Sequence, residues 1–224
     1  GDARARTAII DAGPKDGRVV LMLHGEPSWS VLYRKVIRVA EAAGLRCIAP
    51  DLVGFGRSDK PSKIADYTYQ RHMDWLHALI DELALKDVTL LCQDWGGLLG
   101  LRAVGERPEL FRSVVAANTF LPTGDMRPSD AFFRWREFAT TTPVFDIGKV
   151  VSKGCARGLT PEIHAAYEAP FPDETFKAGA RAFPSLVPAE PNDPASDANR
   201  RAWEVLQKFE RPFVTAFGDS DPIT

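Results

Sequence analysis

The residues with the clearest chemical potential sit in one turn, Cys92-Gln93-Asp94-Trp95-Gly96-Gly97. Small residues stand two before and two after Asp94, the spacing written G-x-S-x-G, in which a strand reverses sharply into a helix and its central side chain is forced out above the sheet. That carboxyl edge is where parallel sheets bind ligands. An aspartate there could simply cap its helix, but a cap requires neither the flanking small residues nor the second loop at His24-Gly25. A carboxylate with an ordinary pKa of about 3.9 is ionised at neutral pH without a base to activate it. It can displace a leaving group from saturated carbon, and the ester that results has a carbonyl open to water. A serine would leave an ether, which water cannot open this way. The hydrolytic half then needs oxyanion donors, a base, and an acid to orient that base. The expected donors are the backbone N–H groups of Trp95 and Glu26.

The elements that must hold this turn read as strands alternating with helices over residues 18–118. Val19 to Leu23 is a wholly apolar run, as in a strand buried on both faces, and it feeds His24-Gly25-Glu26-Pro27. Leu32, Val36, Ala40 and Ala43 fall at helical spacing, with Gly44 where a C-terminal cap belongs. A strand over 46–49 ends in Pro50-Asp51 and opens the loop 52–59. Met73, Leu76, Ile80 and Leu83 form one apolar stripe on a helix over 69–84. Strands at 88–92 and 113–118 flank a helix over 97–107. Repeated β-α-β units predict a mostly parallel, doubly wound α/β sheet with helices on both faces.

Past Asn118 the texture changes, with 11 of the 17 prolines between 119 and 212 and only short helical patterns at 131–139, 161–169, 174–182 and 198–209. The expected organisation is therefore a first part of the core over 1–118, an inserted helical lid over 119–211, and a core that resumes over 212–224. The chain begins at Gly1 and stops just after a strand and turn, so it reads as a fragment.

Composition narrows the function. Lys plus Arg number 28 against 30 Asp plus Glu, a net charge of −2, and Arg200-Arg201 is the densest basic doublet. No basic stripe is present for nucleic acid or an anionic membrane. The longest aliphatic run is far short of the roughly 20 apolar residues that a membrane crossing needs, and residues 1–10 lack a signal-peptide pattern. Cys47, Cys92 and Cys155 are an odd number without C-x-x-C spacing, which argues against a disulfide framework and a zinc site and for a reducing cytoplasm. Oligomeric state is silent in the sequence.

Several motifs together resemble the haloalkane dehalogenases of the α/β-hydrolase fold, in the subgroup with Glu after His-Gly. They are His24-Gly25-Glu26-Pro27-Ser28-Trp29-Ser30, Pro50-Asp51 through Lys60-Pro61, Asp66-Tyr67-Thr68, Gln93-Asp94-Trp95-Gly96-Gly97 and Ala169-Pro170-Phe171-Pro172-Asp173. The resemblance implies hydrolytic dehalogenation of a small halogenated aliphatic, with water consumed, halide released, and neither metal nor organic cofactor. It implies Asp94 as nucleophile and Trp95 as a halide-stabilising indole donor. A halide left in a dry pocket is a costly anion, and an indole N–H meets it without bringing a charge or an acceptor. The second donor in this subgroup is a lid tryptophan, here Trp135, the only Trp early in the lid. In some relatives it lies later, where this chain has Cys155. Trp203 reads as lid packing, and Trp29 and Trp75 as core or support.

The orienting acid can follow either of two strands. Asn118 holds the first position and is not acidic, so the acid belongs after the next strand, where the resemblance selects Asp221 and leaves Asp219 to the turn. A base should be a His beyond it, yet only Pro222, Ile223 and Thr224 follow. Of the four histidines, His24 belongs to the oxyanion loop, His72 and His77 read as solvated or satisfied helix residues, and His164 as a solvent-facing lid residue. A chain without that base is expected to form an Asp94 ester and keep it, as a binding or trapping protein. An epoxide hydrolase would use two lid tyrosines, and this lid has one, Tyr167. An acyl esterase lacks its Ser, and a fluoroacetate-type dehalogenase would carry Arg at Trp95.

Overall fold

The computed structural model describes residues 5–221. Five parallel strands, β2 (Val19–Leu23), β3 (Arg46–Pro50), β4 (Val88–Gln93), β5 (Phe111–Ala117) and β6 (Phe213–Ala216), join β1 (Ile9–Ala12) in one sheet of order β1-β3-β2-β4-β5-β6. The central register pairs Leu21 with Leu90 and Leu90 with Val114. Alternation along the strands divides the apolar side chains between two faces. Leu21, Leu23, Ile48, Leu90 and Cys92 pack beneath α2 (Tyr69–Glu82) and α3 (Trp95–Glu106), while Val20, Met22, Cys47 and Ala49 pack on α1 (Arg34–Ala42).

The sheet is mostly parallel, as the sequence implied, with β1 pairing antiparallel with β3. β1 is short, and its register is reinforced by Arg46, which donates to both oxygens of Asp11 at 2.9 Å. One sequence expectation changes here. On α1 the buried residues are Ile37 and Ala40, in line with Tyr33 just before the helix, whereas Val36 is 42% exposed. The stripe read from Val36 and Ala43 is thus rotated by about one residue, roughly 100° on a helix.

The segment joining β5 to β6 carries α4 (Asp130–Thr141), α5 (Ile147–Lys153), α6 (Pro161–Glu168), α7 (Ala178–Leu186) and α8 (Ser196–Leu206). Ser129, Asp146 and Thr160 accept from the backbone N–H groups of Phe132, Lys149 and Ile163, satisfying donors that an uncapped helix would leave open. Only α5 was not foreseen, since its two turns carry little periodicity. The start of α7 falls later than its pattern because residues 174–177 form a tighter turn after Asp173. Buried Lys177 donates to the Phe145 carbonyl at 2.7 Å and to Glu174 at 3.0 Å, and Arg181 donates to the Thr142 carbonyl at 2.8 Å, so the α4–α5 connection is fastened to α7. Among the described residues no helix is long and apolar enough to cross a membrane.

Candidate active site

Between β4 and α3 the chain turns at Asp94 with φ 52° and ψ −126°, a left-handed value that costs a non-glycine residue energy and is kept only where surroundings enforce it. The end of β5 does so. Asp94 N–H donates to the Asn118 carbonyl at 3.1 Å, and Thr119 Oγ1 donates to the Asp94 carbonyl at 2.7 Å. The side chain makes no cap bond to its own helix. Its Oδ1 instead accepts the Glu26 backbone N–H at 2.6 Å, so the loop after β2 delivers a donor to the carboxyl group.

Burial pushes the Asp94 pKa up to about 6; the backbone N–H groups of Trp95 and Glu26 offset part of that rise, and the charge of Asp221 adds to it. Trp95 is 3% exposed, with its ring centroid 4.4 Å from Phe183 of α7 and 5.4 Å from Tyr69 of α2. The helical segment therefore lies directly over the turn. It also meets the β2 loop, where Trp29 Nε1 donates to the Ala166 carbonyl of α6 at 3.2 Å.

Asp221 is brought to the same edge by Asn118, whose Nδ2 donates to Asp221 Oδ2 at 2.7 Å while its Oδ1 accepts the Gly218 N–H at 3.2 Å. Asp219 accepts from Ser220 Oγ at 3.4 Å within the turn. Asn118, set aside in the sequence as non-acidic, is thus the bridge between two strand ends, and its φ of 41° fits Asn better than most side chains. Its place immediately after a strand was the signal. Asn118→Ala is expected to cost about 1–3 kcal/mol, since it removes both bonds and strains the backbone; urea unfolding measures it.

Trp135 lies on α4, partly buried, with its ring 5.9 Å from both Phe138 and Phe145. Those contacts are within the helical segment, and the structure brings no ring contact between Trp135 and Trp95. Phe183, which does cover Trp95, was not singled out, because one Phe in a helical pattern reads as ordinary core.

The histidines divide. His24 is fully buried, donates from Nδ1 to the Gly25 carbonyl at 2.9 Å and accepts the Leu52 N–H on Nε2 at 2.8 Å, so it is a neutral strut between two loops. His77 pairs with Glu106 at 2.6 Å and His164 with Asp146 at 3.2 Å. His72 departs from its expected solvated or satisfied state. It is 2% exposed, its Nε2 has no partner, and it sits 4.6 Å from Phe183 and 4.9 Å from Trp75. The α2 stripe is wider than Met73, Leu76 and Ile80, and the helix turns His72 inward beneath α7. Burial depresses its pKa to about 3.

This geometry can be set beside known proteins. The alpha/beta hydrolase fold family matches residues 18–224. A curated haloalkane dehalogenase of Psychrobacter cryohalolentis is 53% identical over 223 residues, covering 100% of this chain and 74% of the relative. One of Mycolicibacterium paratuberculosis is 53% identical over 218 residues, 97% of this chain and 72% of the relative. The chain belongs to the haloalkane dehalogenases of the α/β-hydrolase fold. The tetrameric haloalkane dehalogenase DpaA from Paraglaciecola agarilytica superposes with a TM-score of 0.87 at 31% identity, over 96% of this chain and 81% of that one. As a member, the chain is a hydrolase acting on carbon–halogen bonds, and the epoxide reading drops out.

Proposed function

We propose that Asp94 is the nucleophile of this dehalogenation and that the observation carrying the reading is its geometry: a strained, partly buried carboxyl group that does not cap its helix, with the Glu26 N–H on Oδ1 at 2.6 Å. One carboxylate oxygen attacks the halogenated carbon from behind. The oxygen–carbon bond forms, the carbon–halogen bond breaks, and its electron pair leaves with the halide. Water then adds to Cγ of the ester, and the backbone N–H groups of Glu26 and Trp95 receive the charge that develops on the former carbonyl oxygen. On collapse the bond from Cγ to the alkyl-bearing oxygen breaks, that oxygen receives the proton that the base took from water and leaves as the alcohol, and Asp94 ionises again. Asp221 would orient the base that takes the proton from that water. His24, His77 and His164 are engaged elsewhere, and His72 is enclosed by Phe183 and Trp75.

The Trp95 indole and the helical segment over 119–211, acting as a lid, would form the dry halide pocket, with Trp135 as the second donor. Substitution separates these roles. Trp95→Phe is expected to weaken bromide binding about ten-fold, the worth of one hydrogen bond to an anion. Trp135→Phe is expected to do the same, and an unchanged bromide affinity in that variant would remove Trp135 from the halide site. The substrate class is a small haloalkane with water as co-substrate, and a cytoplasmic setting is supported by the unpaired Cys47, Cys92 and Cys155. Incubation with 1-bromobutane tests the whole reading. A mass increase on the peptide containing Asp94, with release of bromide, supports it; neither signal from folded protein would overturn it.

A further inference from the structure

The chemistry above uses the backbone of Glu26 and leaves its side chain without a task. Gly25 is pressed against the nucleophile so closely that a Cβ there would stand 2.4 Å from Asp94 Cβ. The next residue meets the same corner, its backbone N–H on Asp94 Oδ1 at 2.6 Å. Glu26 Oε1 is buried and has no hydrogen-bond partner among the described residues. An orphaned buried oxygen is a standing cost, kept in native structures where another group uses it part of the time.

Burial first, and the neighbouring Asp94 charge second, raise the Glu26 pKa well above the usual carboxyl range. Ionising Glu26 would add a second negative charge near Asp94, which has two backbone N–H groups to hold its own. The other titratable groups packed around the corner bring no cation. His24 is neutral, Tyr33 donates its hydroxyl to the Leu23 carbonyl at 2.7 Å, burial raises the Cys92 thiol, and Asp221 adds negative charge. A displacement at Asp94 produces an anion in just this neighbourhood.

We propose that the Glu26 side chain carries a proton and that its O–H donates a hydrogen bond to the halide as the carbon–halogen bond breaks. The proposal rests on Asp94 being the nucleophile. The proton stays on Glu26 throughout, because a hydrogen halide is a far stronger acid than a carboxylic acid, so the electron pair leaves with the halide and no proton transfer is needed. Glu26 is then a catalytic donor through its side chain as well as through its backbone.

The test is bromide titration followed by tryptophan fluorescence, together with single-turnover ester formation from 1-bromobutane read by mass. Glu26→Leu is expected to raise the bromide Kd about ten-fold and to slow ester formation by a similar factor. Glu26→Gln keeps a neutral donor and is expected to recover most of that loss. In the unsubstituted protein bromide affinity should fall as pH rises and Glu26 ionises, since a carboxylate repels the halide, and Glu26→Gln should lose this alkaline fall while keeping any acid-side change that belongs to Asp94. A Leu variant that binds bromide like the parent, a Gln variant as weak as Leu, or an alkaline fall that persists in Gln overturns the proposal. If the unsubstituted protein forms no ester, the nucleophile reading fails and takes the proposal with it, an outcome told apart because every Glu26 variant is then equally silent.

Discussion

Asp94→Asn is expected to abolish ester formation and bromide release together, by roughly four orders of magnitude or more, because a neutral amide replaces the only group placed to attack carbon. The same substitution should make the protein more stable at neutral pH. Asp94 has its pKa raised to about 6 in the fold, against about 3.9 for an unfolded chain. The folded state therefore holds the proton more tightly, and ionising Asp94 costs stability. That cost is absent below about pH 4, grows as pH rises, and is complete above about pH 6. The asparagine variant is spared it, so urea unfolding is expected to show it about 1–3 kcal/mol more stable at pH 8 and nearly level with the parent at pH 4. A variant that is inactive and no more stable at pH 8 would mean that the carboxylate is not a strained charge.

Ester formation carries the same ionisation. Because only the carboxylate attacks, its rate should fall as pH drops through about 6, approaching ten-fold per unit well below that value. Rapid-quench mass measurements between pH 4.5 and 8 would follow it, and a rate flat to pH 5 would place the attacking group elsewhere.

How much of this was legible in the sequence depended on whether a signal was local. The sharp turn at Asp94 was, because its flanking small residues and the strand before it lie within a few positions, and strand-to-helix reversal is a short-range event. The β2, β3, β4 and β5 strands were also readable, as apolar runs bounded by turn residues. What escaped was set by tertiary partners. The facing of α1 toward Ile37 rather than Val36 depends on where the sheet lies, and four residues of helix cannot reveal that. Asn118 acts on Asp221, 103 positions away, and no spacing rule links a strand-end Asn to a turn so distant. His72 read as a solvated or satisfied helix residue because α2 alone does not show that α7 will cover it. The orphaned oxygen of Glu26 was invisible for the same reason, since the sequence names the side chain without saying what will surround it.

Gly96→Ala is expected to be strongly destabilising for a change of a single methyl group. A Cβ at Gly96 would stand 1.9 Å from the Leu23 carbonyl oxygen and 2.8 Å from that of His24. Both are backbone atoms, so no side chain can swing aside, and relief requires α3 to move away from the end of β2. Overpacking of this kind costs about 3 kcal/mol or more. The displacement also acts on function, because β2 continues through His24-Gly25 into Glu26, whose N–H sits on Asp94. Gly154→Ala is the matched control. Gly154 has φ −75° at the end of α5, and its nearest neighbour to a Cβ is a carbonyl oxygen 3.5 Å away, so Ala fits there and should change stability by no more than about 1 kcal/mol, in the stabilising direction. Comparing the two by urea unfolding cancels whatever an alanine does to the unfolded chain. Should Gly96→Ala unfold at the same denaturant concentration as Gly154→Ala and still form the ester at the parent rate, then α3 does not rest against the β2 end, and the contact that places the Glu26 N–H on the nucleophile is not fixed by this packing.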